Sequence, residues 1–228
     1  MVIVVRVLKM STNELIDIVE NNEIVGQGSY GILYKLDEDT VFKFNYKDFI
    51  DAFELKNNRY NIRKISDISK IIDMRKEIDS ILGNKENPRI GDIRRMMMKQ
   101  DKIKLTTLTQ GFVLINDYCV GYLLHYHKDM VNLFDYYKDK NIDKSKREKI
   151  LSKIKERLEE LLENHIYRYD FTVRNILYNP ANDNVEIVDF EDSLCYEEER
   201  DIKRETRMIE KYKEIVNWFN TEIKKVKR

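Results

Sequence analysis

Apolar and polar positions change period several times along this chain, and each change marks an element. Ser11 opens the string S-T-N-E, and Leu15, Ile16, Ile18 and Val19 follow Glu14. This is a capping box leading into a short amphipathic helix. Residues 24–46 read as three short strands: Ile24-Val25, then Ile32, Leu33 and Leu36, then Val41, Phe42 and Phe44. Asp37-Glu38-Asp39 makes the turn between the second and third. From about 48 to 102 the period lengthens, with Ile62, Ile65, Ile68, Ile71, Ile72, Ile78, Ile81 and Leu82 recurring at helical spacing. Asn87-Pro88 and Gly91 break that run before a further helix from Ile93 to Lys99. Residues 111–127 predict a hairpin about Asn116-Asp117, and 144–164 a helix with Ile150, Leu151, Ile154, Leu158, Leu161 and Leu162 on one face. An irregular loop at 167–175 precedes a small hairpin, Ile176–Tyr178 with Val185–Val188. The last helix is expected from 197 to 226, acidic at Glu197–Glu199 and basic at Lys224, Lys225 and Lys227, as the helix dipole favours. Its buried face would be Ile202, Met208, Ile209, Tyr212, Ile215, Val216, Phe219 and Ile223.

The first run, 1-MVIVVRVL-8, is too short to span a membrane and reads as a strand. At 228 residues the chain can bury roughly 70–75% of its unfolded surface without a metal or disulfide staple. Lys+Arg and Asp+Glu are equal at 41 each, so net charge gives no support to nucleic-acid binding. Cys119 and Cys195 follow no C-x-x-C spacing, which fits a reduced compartment. A cytoplasmic protein without a membrane segment is the expectation.

Three of the seven glycines fall in 26-GQGSYG-31, on a turn between two strands. Bare backbone there lets amide N–H groups approach phosphate oxygens. The pattern by itself also fits a flexible hairpin, and the strand after it disfavours a dinucleotide fold, which needs a helix at that point. Lys43 shares a strand face with Val41, opposite Phe42 and Phe44. Alone it suits a solvated face; beside a glycine loop it becomes a partner for the α- and β-phosphates of a nucleotide. Downstream, 170-DFTVRN-175 and 188-VDFED-192 each stand next to a strand of the small hairpin. Mg²⁺ takes one or two protein oxygen ligands plus phosphates and water, and Asn175 and Asp189 supply such groups. Asp170 would then accept the proton of an attacking hydroxyl. Each of these residues is also an ordinary turn former. Their order, glycine loop, Lys, Asp, Asn, Asp, is what singles them out.

In that order and over nearly the whole length, the chain resembles the protein-kinase-like superfamily, whose set is G-x-G-x-x-G, a third-strand Lys, H-R-D-x-x-x-x-N and D-F-G. The resemblance implies an α+β, bilobal protein-kinase-like fold, with a strand-rich N-lobe at 1–127 and a reduced, mostly helical C-lobe at 128–228. It implies ATP and Mg²⁺ as cofactors. Gly26, Gly28, Gly31 and Lys43 would hold the phosphates, Asp170 would be the catalytic base, and Asn175 and Asp189 the metal ligands. The end of strand 119–127 would be the hinge, with Leu124 as gatekeeper and backbone at His125 and His127 meeting adenine. A helical Glu should pair with Lys43; Glu77 is the first choice and Glu54 a competitor. Arg168-Tyr169 stands where the family has His-Arg, Glu191 replaces the last glycine of D-F-G, and no A-P-E follows. The short C-terminal part looks like the small atypical kinases, the Rio kind and the kinase of the tRNA-modifying complex, whose D-L-T-T-S-N loop is similar to 170-DFTVRN-175. The implied activity is phosphorylation of Ser/Thr hydroxyls on a protein substrate. A small-molecule kinase of aminoglycoside or choline type, and a nucleotide-binding pseudokinase scaffold, are the alternatives.

Overall fold

The computed structural model describes residues 6–27, 31–45, 88–115, 118–139, 142–190, 193–195 and 200–226. They form a mixed α/β architecture whose contacts divide it into two units, Met1–Asn87 with Thr109–Lys128, and Pro88–Leu108 with Asp129–Arg228.

In the first unit, alternating apolar positions build one six-stranded sheet. Its strands are β1 (Arg6–Lys9), β2 (Ile24–Gln27), β3 (Ile32–Lys35), β4 (Thr40–Phe44), β5 (Gly111–Ile115) and β6 (Tyr118–His125), in the order β1-β5-β6-β4-β3-β2. Every pairing is antiparallel except β1 with β5. The turn of the β5–β6 hairpin, Asn116-Asp117, lies outside the described residues. Helix α1 (Thr12–Asn21) begins with the predicted capping box: Ser11 N–H donates to Glu14 Oε2 at 2.6 Å, and Glu14 N–H to Ser11 Oγ at 3.2 Å. Leu15 on α1 is fully buried in a core with Tyr34, Phe42, Phe44, Val113, Ile115, Val120 and Leu123. That core takes one face of the sheet. Gly121 permits the tight β4–β6 approach, since a Cβ there would collide with the Lys43 carbonyl and come within 2.6 Å of Phe42 Cε2.

The second unit contains helices α2 (Pro88–Met98), α3 (Leu133–Asp139), α4 (Lys144–Glu163) and α5 (Ile202–Val226). Its strands are β7 (Val131–Asn132), β8 (Ile166–Arg168), β9 (Ile176–Asn179), β10 (Asn184–Ile187) and β11 (Ser193–Cys195). They form a sheet ordered β10-β9-β7 and a separate β11–β8 pair. Residues 88–108, placed with the N-terminal half by the sequence reading, group here for a physical reason. Ile93, Met96 and Met97 are buried on α2, and Arg95 Nε donates to the Cys195 carbonyl at 3.1 Å. Helix α2 starts at Pro88 rather than at Ile93: a proline in the first turn has no N–H to lose, so Pro88 opens the helix instead of breaking it.

Helix α4 starts where expected and ends one residue earlier, capped by Asp143, whose carboxylate accepts from Lys146 N–H at 2.8 Å, and buries Ile150, Ile154, Leu158 and Leu161. Helix α5 packs on α4 and β8 and buries Met208, Ile215 and Phe219, the last with its ring 4.7 Å from that of Tyr137 on α3. It begins at Ile202, five residues later than expected, because Asp201 caps it by accepting from Arg204 N–H at 3.1 Å. Glu197–Glu199 lie outside the described residues, and Ile202 and Ile209 are exposed at 71% and 40% rather than buried. Both cysteines are buried and unbridged. Among the described residues no helix is long and apolar enough to cross a membrane.

Candidate active site

The second unit gathers its polar residues by nesting one antiparallel pair inside another. Helix α4 ends at Asn164, and His165, at φ 55°, turns the chain sharply into β8. β8 pairs with β11 in the register Arg168↔Ser193 and Ile166↔Cys195. Inside that closure, β9 pairs with β10, Ile176↔Ile187 through Asn179↔Asn184. Asp170 follows β8 by two residues, Asn175 directly precedes β9, and Asp189 follows β10 by two. Nested ladders therefore bring all three to the same end. Val188 N–H donates to the Asn175 carbonyl at 3.0 Å, tying the two sides together.

Buried neighbours fix the backbone between these polar groups. Phe171, Val173 and Phe190 are exposed by at most 9%, while Asp170 is open to solvent. Residues Val173–Asn175 form a single 3₁₀ turn, with Asn175 N–H donating to the Thr172 carbonyl at 3.0 Å. Asn175 Nδ2 donates both to the Asp170 carbonyl at 3.0 Å and to Asp170 Oδ2 at 2.9 Å. Both partners are acceptors, which assigns the amide nitrogen to that side and turns Oδ1 away from Asp170. Asp189 has φ 73°, in the left-handed region, and a side chain 37% exposed. An amide oxygen and a carboxylate at one end of one hairpin are the oxygen donor set that Mg²⁺ accepts.

Arg174, beside Asn175, points elsewhere: its guanidinium lies 4.2 Å from the Phe134 ring, and its carbonyl accepts from Asn132 Nδ2 at 2.7 Å. Arg168 was read from the sequence only as a departure from His-Arg. In the fold its side chain is 1% exposed, with Nη2 3.8 Å from Asp189 Oδ2 and Cζ 5.3 Å from the Phe190 ring. The one sequence signal for that burial is its place at the end of the apolar run 166-IYR-168, since its contacts are some twenty residues away.

The first unit holds the other candidate residues. The register Leu33↔Lys43↔Tyr122 puts Lys43 on the sheet face opposite Phe42 and Phe44, together with buried Val41 and Tyr122. Gly31 lies against it: a Cβ at Gly31 would stand 2.7 Å from the Phe44 carbonyl oxygen and 3.3 Å from Lys43 Cγ and Cε. The lysine stem thus runs along the bare backbone at the end of the glycine stretch. At Gly26 a Cβ would meet only ordinary contacts with Leu33, the nearest at 3.6 Å, so no close approach requires glycine there. Gly28, Glu54, Glu77 and Glu191 lie outside the described residues.

His125 ends β6 opposite Thr40, and Leu124 faces Val41. Tyr126 N–H donates to the Asp39 carbonyl at 2.8 Å, which holds the segment leaving the sheet. The rings of His125 and His127 meet edge to face at 4.8 Å. Burial, with His125 acting in the same direction, holds the His127 imidazole down at about 4. Among known proteins, neither a family model nor a curated sequence matches this chain.

Proposed function

We propose that the protein is an ATP-dependent phosphotransferase with a protein-kinase-like fold, transferring the γ-phosphate of Mg-ATP to a hydroxyl group, most readily a Ser or Thr of a protein. In this reading the six-stranded unit is the nucleotide-binding lobe and the second unit the catalytic lobe. The observation that carries it is the nested pair of ladders, which collects Asp170, Asn175 and Asp189 with Asn175 Oδ1 turned away from its hydrogen bonds. The glycine stretch and its adjoining Lys43 support the same reading from the first unit.

The chemistry assigned to each residue follows from its environment. Asp170 is exposed, and its Oδ2 is oriented by the Asn175 amide. The second carboxylate oxygen would accept the proton of the acceptor hydroxyl as the hydroxyl oxygen forms its bond to the γ-phosphorus and the bond to ADP breaks. Asn175 and Asp189 are the residues that would hold Mg²⁺, which supplies charge neutralisation along the phosphates. Lys43 pairs with the α- and β-phosphates.

Transfer of radiolabelled γ-phosphate from Mg-ATP tests this, with protein alone, with cell extract and with a panel of small-molecule alcohols. Label should appear on protein with the wild-type chain. Asp170→Asn should keep ATP binding while turnover drops by about 10²–10⁴-fold. Label on a small molecule instead would move the acceptor class to metabolites. ATP binding with no transfer, or Asp170→Asn at nearly full turnover, overturns the assignment.

A further inference from the structure

Arg174 stands on the single 3₁₀ turn between Thr172 and β9, and it is exposed. Its guanidinium carbon lies 4.2 Å from the centre of the Phe134 ring on α3. Lys138, four residues further along that helix and also exposed, places Nζ 4.1 Å from the same centre. Trp218 of α5 stacks on the ring too, 5.6 Å away at 27°, and both aromatic residues are half-buried. The turn is tied to the start of α3, because Asn132 Nδ2 donates to the Arg174 carbonyl at 2.7 Å. Two cations therefore share one ring and stand no further apart than their two ring distances together. The ring attracts each of them, while they repel each other. Among the described residues no carboxylate pairs with either charge, and the exposed Asp135 of α3 makes no ion pair. Lys146 and Arg157 on α4, by contrast, have Asp183 and Glu186.

We infer that Lys138 and Arg174, backed by Phe134, are a docking site for the carboxylates of an acidic protein segment, the stretch that flanks the acceptor Ser or Thr. The acceptor role rests on the phosphotransferase reading above; the docking site itself does not. Charge complementarity selects the occupant. Two exposed cations suit a short acidic stretch, whereas a nucleic acid needs a longer basic track. The chain's 41 basic and 41 acidic residues supply no net field for such a polyanion. Contact with the ring holds both cations near one spot, so less side-chain freedom is lost when a carboxylate arrives. The acceptor role follows from the chain: Arg174 directly precedes Asn175, whose amide donates to Asp170. One residue of extended peptide covers about 3.3–3.6 Å, which puts the acidic residue within about three positions of the hydroxyl.

The test uses the full chain and a fluorescein-labelled peptide carrying one Ser among several Glu, with a second peptide in which every Glu is Gln. Anisotropy gives the affinity, and an unlabelled copy is followed through the emission of Trp218, the only tryptophan. The Glu peptide should bind, shift Trp218 emission and dissociate as salt rises, and the Gln peptide should bind more weakly. Lys138→Gln and Arg174→Gln should each weaken the Glu peptide about 2–5-fold, and together about tenfold. Lys155→Gln, which removes the same charge from α4, should bind as the wild type does. Thermal melts check each variant, and should one single variant fail to fold, the other decides. Equal affinity for the two peptides, wild-type affinity in the variants, or an equal loss in Lys155→Gln overturns the inference and leaves the phosphotransferase reading standing. Stronger competition by inorganic phosphate than by unlabelled Glu peptide overturns the acidic-protein occupant. With Mg-ATP present, the wild type should favour the Glu peptide over the Gln peptide in kcat/KM. A double variant that keeps this preference overturns the acceptor role. Docking with no phosphate transfer to any acceptor overturns that role together with the phosphotransferase reading, and supports the docking site alone.

Discussion

Individual side chains carry the candidate chemistry, and most were legible because motif spacing reports residue type directly. Lys43, Asp170, Asn175 and Asp189 stood out in the sequence on that ground. Arg168 did not, because burial of a charge is decided by what packs on it, and Phe190 and Asp189 come to it through strand pairing. His127 was expected to matter only through its backbone, yet its ring is the group that burial perturbs. Its folded value of about 4 lies below the ordinary 6.5. Both forms of the chain are neutral there above about pH 6.5. As pH falls from 6.5 towards 4, the unfolded chain takes up the proton first, so this group withdraws stability across that window and nothing further below it. Nuclear magnetic resonance titration of the three histidines should show His127 still neutral at pH 5. His127→Gln should flatten the acid limb of the stability curve between pH 4 and 6.5.

Elements with a full period were readable, and those of two or three residues were not. The strands β2 to β6, α1 and α4 follow from alternation or helical spacing in the sequence. β7, β8 and β11 are too short to show a period, and only their ladders define them. β8 and β11 nonetheless close the loop that holds the candidate site. β10 shows what pairing adds: Glu186 alternates with Val185 and Ile187, which predicts an outward side chain, yet it is 5% exposed. It accepts from Thr107 N–H at 2.5 Å and lies 3.9 Å from Arg157 Nη2, so it anchors the 103–108 segment. Burial raises its carboxyl to about 7, against the pull of Thr107 and Arg157. The raised value means that the folded form keeps its proton where the unfolded form has lost it. Stability from this group is therefore full below about pH 4.5 and declines up to about pH 7, by at most about 1.4 kcal/mol per pH unit. Glu186→Gln should remove that decline while keeping an acceptor for Thr107. Melting temperatures of the two proteins, compared from pH 4.5 to 7.5, give the check.

At the scale of the whole molecule the chain does not divide where its sequence does. Balanced charge was legible from composition, and so was a mixed α/β class from the changing period. The return of 88–108 to the second unit was not, since helical spacing does not say which surface a helix will cover. That segment contributes several ties: Lys99 Nζ to the Asn164 carbonyl at 2.6 Å, Leu105 N–H to Glu160 Oε1 at 3.0 Å, and the Thr107–Glu186 bond. It also contributes the buried side chains of Ile93, Met96 and Met97, each worth about 1.5–3 kcal/mol when removed from water. A fragment of residues 129–228 should accordingly show little cooperative unfolding, and adding residues 88–108 at its N-terminus through a short linker should restore it. Circular dichroism melts of the two fragments decide this. The buried cysteines have a practical consequence of another kind. Cys119 and Cys195, at 9% and 1% exposure, present little surface to a thiol-directed dye. A pair of new cysteines at the exposed positions Glu20 and Glu210, one in each unit, would take fluorophores almost without background. The natural chain is in effect already prepared for energy-transfer measurements that ask whether added nucleotide changes the distance between the two labels.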